Sequence, residues 1–200
     1  MNDRVQAQAK RLDRPVLVIA ESDLNDARVI AAVGKGGYGL AGPWNEDFHH
    51  AVHARLTGER DGSYLDFGAL EDIAQALSHG FVYEGQDSAL RRRPHGPSAR
   101  HIPGERFVVF AQNHDQVGNR PKGERLVTLI PFEALKLAAA LVLWSPYVPL
   151  LFMGEEYGEP SPFQYVTSFF DAALAEAVRR GRREEGNDPY SYWAVANLIG

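Results

Sequence analysis

The 200-residue sequence contains no cysteine, which excludes disulfide bonds, thiolate metal ligands and a cysteine nucleophile. Long apolar runs are also absent, since the longest, Leu137 to Trp144, is far shorter than the ~20 residues that cross a bilayer. Residues 1–15 lack the apolar stretch of a secretory signal. Together these absences predict a cytoplasmic protein that has no membrane partner.

A surplus of basic residues is missing as well. The chain has 21 Lys and Arg against 26 Asp and Glu, which gives a net charge of -5. Proteins that bind polyanions usually carry the opposite surplus, so we expect no nucleic-acid partner. A hydrophobic content of 44% with 24% charged residues is typical of an ordinary globular protein.

Two motifs suggest a cofactor, and both are weak. The glycine-rich segment GKGGYG at 34–39 lacks the spacing of a phosphate-binding Walker loop. His49, His50 and His53 are close in sequence but lack the H-E-x-x-H order of a zinc site. We therefore expect neither a metal nor another cofactor.

Short apolar segments alternate with segments whose apolar residues recur at helical spacing. The predicted strands are residues 16–20, 38–40, 107–112 and 148–154, and the predicted helices are residues 44–59, 66–80, 131–144 and 171–184. Fully apolar strands are typical of sheets that are buried on both faces. The alternation predicts an α/β fold with parallel strands and with helices outside.

Polar side chains follow the clear strands of this prediction. Glu21 follows the first, Asn113 to Asp115 follow the third, and Glu155 follows the fourth. In a (β/α) barrel the carboxyl ends of the strands form the active site, so we expect these groups at one end of the sheet. Two carboxylates from separate strands suit glycoside hydrolysis, which needs a proton donor and a negative group beside an oxocarbenium-like transition state. Taken alone, Glu21 is equally well interpreted as a capping or ion-paired carboxylate, and His114 as a structural histidine.

Five segments carry a resemblance to a known family. They are VLVIAESDLND, GPWNEDFHHAVHARLTGE, FVYEGQDS, FVVFAQNHDQVGNRPKGERL and VPLLFMGEEYGEPSPFQYVTSF. In this order they resemble the malto-oligosyltrehalose trehalohydrolases of the α-amylase superfamily. The tripeptide NHD marks only the superfamily, whereas the longer strings are more specific. The resemblance covers about residues 13 to 183.

The resemblance implies a fold and the part of the family's barrel that this chain covers. Residues 1–185 are expected to form part of a (β/α)8 TIM barrel, about strands 5 to 8 with their helices, and residues 186–200 a divergent tail. The family's nucleophile is an aspartate at the end of its fourth strand, and no matching segment precedes residues 16–20. We therefore expect the C-terminal part of the barrel, inactive by itself. Its unpaired sheet edges predict self-association.

The resemblance also implies an activity and residue roles. The activity is retaining hydrolysis of the α-1,4 bond next to the terminal trehalose of maltooligosyltrehalose, with release of trehalose. Glu21 matches the general acid/base, Asp115 the carboxylate that stabilises the transition state, and His114 a group that contacts sugar hydroxyls. The predicted substrate-binding residues are Glu46, Asp47, Phe48, His49, His50, Asn113, His114, Gln116, Val117 and Gly118.

Two other functions remain compatible with the sequence. A glucan-branching transferase of the same superfamily would share Glu21 and Asp115 but differ in loops such as WNEDFHH. A noncatalytic sugar-binding module would keep the half-pocket without turnover. Product analysis separates the two enzymes, and calorimetric titration beside a hydrolysis assay separates both from the binding module.

Overall fold

A computed structural model of the protein describes residues 2–165 and 168–186. The helices in these ranges are α1 (Asn2–Arg11), α2 (Glu46–Thr57), α3 (Leu70–His79), α4 (His114–Gly118), α5 (Leu126–Leu129), α6 (Phe132–Leu143) and α7 (Ala172–Gly186). The strands are β1 (Ile19–Ala20), β2 (Gly42–Pro43), β3 (Asp87–Ser88), β4 (Arg93–Pro94), β5 (Val108–Val109) and β6 (Val148–Pro149). Helix α1 and the antiparallel hairpin β3–β4 were not predicted from the sequence.

The other strands form a parallel series in chain order. Strand β1 pairs in parallel with β2, and β5 pairs in parallel with β6. A parallel bridge between Trp44 and Val108 joins the two pairs, supported by a 2.9 Å hydrogen bond from the Asn45 amide to the Val108 carbonyl. The four parallel strands therefore run in the order β1-β2-β5-β6, with α2 and α3 between β2 and β5 in the chain and α4 to α6 between β5 and β6. This arrangement confirms the predicted α/β class with parallel strands.

The predicted strand at residues 38–40 is wrong. The second strand begins four residues later than predicted and spans Gly42–Pro43. The backbone amides of Tyr38 and Leu40 donate instead to the carbonyls of Arg28 and Val29, in the 3₁₀ helix Ala27–Val29. Gly39 between them has a left-handed φ of 66°. A left-handed residue reverses the chain locally, so this stretch closes a turn and cannot extend along a sheet.

The main helices lie close to their predicted positions. Helix α2 begins after Asn45, whose side-chain oxygen accepts from the Phe48 amide, and ends at Gly58, which has a φ of 82°. Both features are common helix-boundary signals. In α3 the buried residues are Ile73 and Ala76. Leu70 and Ala74 of the same helix are exposed, so only part of its apolar side chains pack into the core.

The core lies between the parallel strands and helices α2 and α3. Phe48, Phe81, Phe107 and Tyr147 pack edge to face within it. The Tyr147 hydroxyl donates to the carbonyls that end α3 and accepts from the Gly80 amide at 3.1 Å. A Cβ on Gly80 would lie 2.6 Å from the Phe107 ring, so a larger residue does not fit there. This packing fixes the start of α2 beside β5, where the candidate site lies.

Both outer strands of the parallel series expose apolar side chains. Leu17 before β1 is 74% exposed, and Met153 after β6 is 64% exposed. Among the described residues neither β1 nor β6 has a second strand partner. Open apolar edges are typical of sheets that continue into, or pair with, further strands.

No described helix is long and apolar enough to cross a membrane. Helix α7 ends at Gly186, and residues 187–200 of the predicted divergent tail lie outside the described residues. The predicted boundary between residues 185 and 186 therefore stays a prediction.

Candidate active site

A cleft of about 350 Å³ opens beside the carboxyl ends of the parallel strands. Its lining residues are Glu21, Ser22, Asp23, Glu46, His50, Ser63, Tyr64, Asp115, Gln116, Asn119 and Arg120. Five of the residues predicted from the sequence are among them: Glu21, Glu46, His50, Asp115 and Gln116. Glu21 follows β1 directly, and Asp115 follows β5 at the start of α4, so the parallel order of the strands brings them together.

Glu21, His114 and Asp115 form one cluster. The His114 Nε2 lies 4.0 Å from Glu21 Oε1 and 3.8 Å from Asp115 Oδ1. Burial raises the pKa of Glu21, and a hydrogen bond and the charge of Asp115 raise it further, whereas His114 lowers it. A raised pKa keeps more of a carboxylic acid protonated near neutral pH, as proton donation requires. The three groups are spaced closely enough to hold a metal ion, but exposed acidic groups often have this spacing without one.

The turn that carries Asp115 is held by its own side chains. The Asn113 Oδ1 accepts from the Asp115 amide at 2.8 Å, and the Gln116 Oε1 accepts from the Asn113 amide at 2.9 Å. This reciprocal pattern is a capping box, which starts α4 directly after β5. Asn113, Val117 and Gly118 are buried and do not line the cleft.

Tyr165 contacts the cluster and was missed from the sequence. Its hydroxyl lies 2.6 Å from Asp115 Oδ1 and 3.0 Å from the His114 carbonyl oxygen. A Cβ on Gly118 would lie 2.7 Å from the Tyr165 ring, so the absent side chain at Gly118 makes room for it. Tyr165 and Asp115 are 50 residues apart in the sequence. The only sequence signal for a role of Tyr165 was the matched string around PFQY.

Some residues at the start of α2 line the cleft, and others are buried in the core. Glu46 and His50 line the cleft, whereas Asp47, Phe48 and His49 are buried and do not line it. Their predicted role as substrate contacts stays a prediction. The structure gives each of the three buried side chains a partner within the protein.

Asp47 joins three segments beneath the cleft. Its carboxylate accepts from Asn25 Nδ2 at 2.8 Å and from the amides of Val82 and Tyr83 at 2.8 and 2.9 Å. Burial raises the pKa of Asp47 to about 6, although these hydrogen bonds act in the opposite direction. Asp47 thus joins the loop after β1, which carries cleft residues Glu21 to Asp23, to the segment after α3.

The histidines of α2 are held by protein groups. His49 Nδ1 lies 2.7 Å from the Ala111 carbonyl, and its Nε2 lies 3.0 Å from the Tyr64 hydroxyl. His53 Nε2 lies 2.8 Å from Glu59, and the His53 ring stacks on Tyr64. Burial lowers the pKa of all three histidines, that of His50 to about 3, so they are neutral near pH 7.

The hairpin β3–β4 contacts the loop after β1. Arg91 Nη2 lies 2.8 Å from Asp23 Oδ2, and His95 Nε2 lies 2.9 Å from the Asp23 carbonyl oxygen. Burial raises the pKa of Asp23, but the hydrogen bond and charge of Arg91 outweigh it and lower the pKa overall. Asp23 is therefore an ion-paired carboxylate on the cleft wall.

Glu155 follows β6 at the same end of the parallel series, as predicted, but it is not among the cleft-lining residues. Its Oε2 accepts from the Phe152 amide at 2.9 Å. Burial raises its pKa to about 7. The Glu155 side chain thus stabilises the turn after β6.

Curated relatives share most of this chain. The malto-oligosyltrehalose trehalohydrolase of Saccharolobus solfataricus is 53% identical over 178 residues, which are 88% of this chain and 32% of the relative. That of Arthrobacter ramosus is 48% identical, covering 91% of this chain and 32% of the relative, and that of Mycobacterium tuberculosis H37Rv is 45% identical, covering 88% and 30%. The chain belongs to the malto-oligosyltrehalose trehalohydrolase family. It spans about a third of the length of these trehalohydrolases. No family model matches it.

A solved structure supports the same relationship. The structure of a Salmonella typhimurium protein described as an alpha amylase matches this chain with a TM-score of 0.80 at 42% sequence identity. The match covers 90% of this chain and 32% of the Salmonella chain. The likeness fits a partial barrel, because the four parallel strands among the described residues follow one another in chain order.

Proposed function

We propose that this chain forms part of the active site of a retaining glycoside hydrolase. The hydrolase cleaves the α-1,4 bond next to the terminal trehalose of maltooligosyltrehalose and releases trehalose. The observation that carries the proposal is the convergence of Glu21 and Asp115 in one cleft, from the ends of two parallel strands. The 53% identity to a named trehalohydrolase supports this substrate over that of a branching transferase.

The proposed roles follow from the chemistry of each group. Glu21 donates a proton to the glycosidic oxygen, which its raised pKa supports. Asp115 faces the positive charge that develops on the sugar, and the Tyr165 hydroxyl holds one of its oxygens in place. His114 lies between the two carboxyl groups and contacts sugar hydroxyls.

We further propose that β1, β2, β5 and β6 correspond to strands 5 to 8 of the barrel. The remaining strands would then cover the open edges at Leu17 and Met153 and supply the nucleophile. The 200 residues alone are expected to be inactive, because losing one member of a catalytic set removes several powers of ten in rate. The predicted cytoplasmic location and self-association are part of this proposal.

A chimaera tests the activity. These 200 residues would replace the matching region of the Saccharolobus solfataricus relative, and trehalose release from maltooligosyltrehalose would be measured. Glu21→Gln and Asp115→Asn should each lower kcat by at least about a thousandfold. The matched control is Glu105→Gln, at an exposed glutamate outside the cleft.

Four outcomes would contradict the proposal. Full trehalose release by Glu21→Gln would remove Glu21 from its role. New α-1,6 branches instead of trehalose would indicate the transferase. Calorimetric binding of maltooligosaccharide by an inactive chimaera would indicate the binding module. Turnover by the isolated 200 residues, abolished by Asp115→Asn, would show that they need no further nucleophile.

A further inference from the structure

We propose that the Glu46 carboxyl group, acting through Gln116, positions the turn that presents Asp115 to the cleft. Glu46 is thereby a positioning residue and does not touch the reacting atoms. The importance of Asp115 for catalysis rests on the proposed function, but the anchoring of its turn stands on the contacts alone.

The anchoring is a chain of three hydrogen bonds between two helices. Gln116 Nε2 donates to Glu46 Oε2 at 2.8 Å, and Gln116 Oε1 accepts from the Asn113 amide at 2.9 Å. Asn113 Oδ1 in turn accepts from the Asp115 amide at 2.8 Å. The capping box of α4 is thus tied to the first turn of α2, across 70 residues of sequence. Removing the Glu46 carboxyl group leaves the amide nitrogen of Gln116 without this acceptor.

Hydrogen bonds on both sides of Glu46 hold the first turn of α2 in place. Asn45, which precedes Glu46, is fully buried, and its Nδ2 donates to the Gly80 carbonyl at 2.5 Å. Asp47, which follows Glu46, accepts from the amides of Val82 and Tyr83. A group held on both sides in this way can hold a neighbouring turn in place.

Many charged groups surround Glu46. Burial raises its pKa to about 8, with further contributions from the charges of Asp115, Glu21, Asp23 and Asp47, named in decreasing order. His50 and Arg120 line the same cleft as Glu46, and Arg120 is bound to Glu59. Arg91 and His114 contact Asp23 and Asp115, two of the carboxylates whose charges act on Glu46. Glu46 is therefore neutral near pH 7. It accepts the Gln116 hydrogen bond without adding negative charge beside Asp115.

Glutamine is the matched replacement for this neutral group. The amide oxygen of a Glu46→Gln variant can accept from Gln116, and the side chain has nearly the same volume but does not ionise. Glu46→Ala removes the acceptor. Gln116→Leu removes the other end of the contact and tests the same link if the alanine variant does not fold.

Amide hydrogen exchange and NMR titration of the 200-residue chain test the anchoring without any substrate. In Glu46→Ala and Gln116→Leu the Asp115 amide should exchange about tenfold faster than in the wild type, as the loss of one hydrogen bond predicts. In Glu46→Gln it should exchange at the wild-type rate near pH 6.5. The Ile73 amide in the core of α3 reports any global loss of stability.

The pH dependence of the Asp115 amide chemical shift distinguishes this positioning role from a merely structural one. In the wild type the Asp115 amide shift should have an inflection near pH 8, and Glu46→Gln should lack it. Unchanged Asp115 exchange in both disruptive variants, or an inflection that persists in Glu46→Gln, overturns the proposal. If the chimaera releases no trehalose while these NMR results hold, the proposed function fails and the anchoring stands.

Discussion

Replacing Glu59 by glutamine tests the charge network below the cleft. The Glu59 carboxylate accepts from His53 Nε2 at 2.8 Å and from two guanidinium nitrogens of Arg120 at 2.9 and 3.1 Å. The His53 hydrogen bond is the largest cause that lowers the pKa of Glu59 to about 2, and Arg120 adds to it against the effect of burial. Because Arg120 lines the cleft, this network also holds part of its wall.

The size of the effect follows from the pKa. A fall from 4.5 to about 2 corresponds to about 3 kcal/mol, at about 1.4 kcal/mol per unit. The Glu59 side chain is 28% exposed, so solvent screening reduces this to roughly 2 kcal/mol. The folded pKa lies below the unfolded one. The stabilisation is therefore complete above about pH 4.5 and disappears as the pH falls towards 2.

Urea denaturation followed by circular dichroism measures the free energy of unfolding of both chains. At pH 7 Glu59→Gln should be less stable by about 2 kcal/mol, and near pH 2.5 the difference should shrink to roughly a quarter of that, about 0.5 kcal/mol. Glu105→Gln, at an exposed site, should match the wild type at both pH values. Equal stabilities at pH 7, or a deficit near pH 2.5 as large as the one at pH 7, would refute the assignment of this energy to the ionised carboxylate.

Four further changes have defined outcomes. Tyr165→Phe removes the hydroxyl donor and should lower the free energy of unfolding by about 1 kcal/mol in the same denaturation assay; no loss would mean that the contact is not formed in solution. Gly118→Ala places a Cβ against the Tyr165 ring and should destabilise the chain by about 1 to 3 kcal/mol, and a neutral result would contradict this packing. The folded pKa of Glu155 is about 7, above its unfolded value, so its ionisation costs stability as the pH rises from 4.5 to 7. Glu155→Gln should therefore gain stability relative to the wild type at pH 8 but not at pH 4, and a gain at both would point to another cause. Sedimentation should show concentration-dependent association that Leu17→Lys weakens, and a monomer at all concentrations would disprove edge pairing.

Local signals in the sequence were sufficient for helices α2, α3, α6 and α7, whereas α1 and the short helices α4 and α5 were not predicted. Asn45 and Gly58 bound α2 because a side-chain cap and a left-handed glycine act within one turn. The convergence of Glu21 and Asp115 was also predictable, since parallel strands present their carboxyl ends at one edge. These inferences need only neighbouring residues and strand direction.

Contacts between distant segments were not predictable. The second strand was misplaced because the turn around Gly39 depends on carbonyls of an earlier 3₁₀ helix. Tyr165 and Arg91 reach the site from loops whose paths depend on tertiary packing. The burial of Asp47 likewise depends on amides 35 and 36 residues away.

The contact between Tyr165 and Asp115 also determines when the site can be completed during synthesis. Asp115 leaves the ribosome 50 residues before its partner. At ~5–20 residues per second, the Asp115 carboxylate spends several seconds with water in place of the tyrosine hydroxyl. Among the described contacts of Asp115, the Tyr165 hydroxyl is the last to be synthesised, so a chain that stops soon after β6 would lack the group that holds the Asp115 carboxylate.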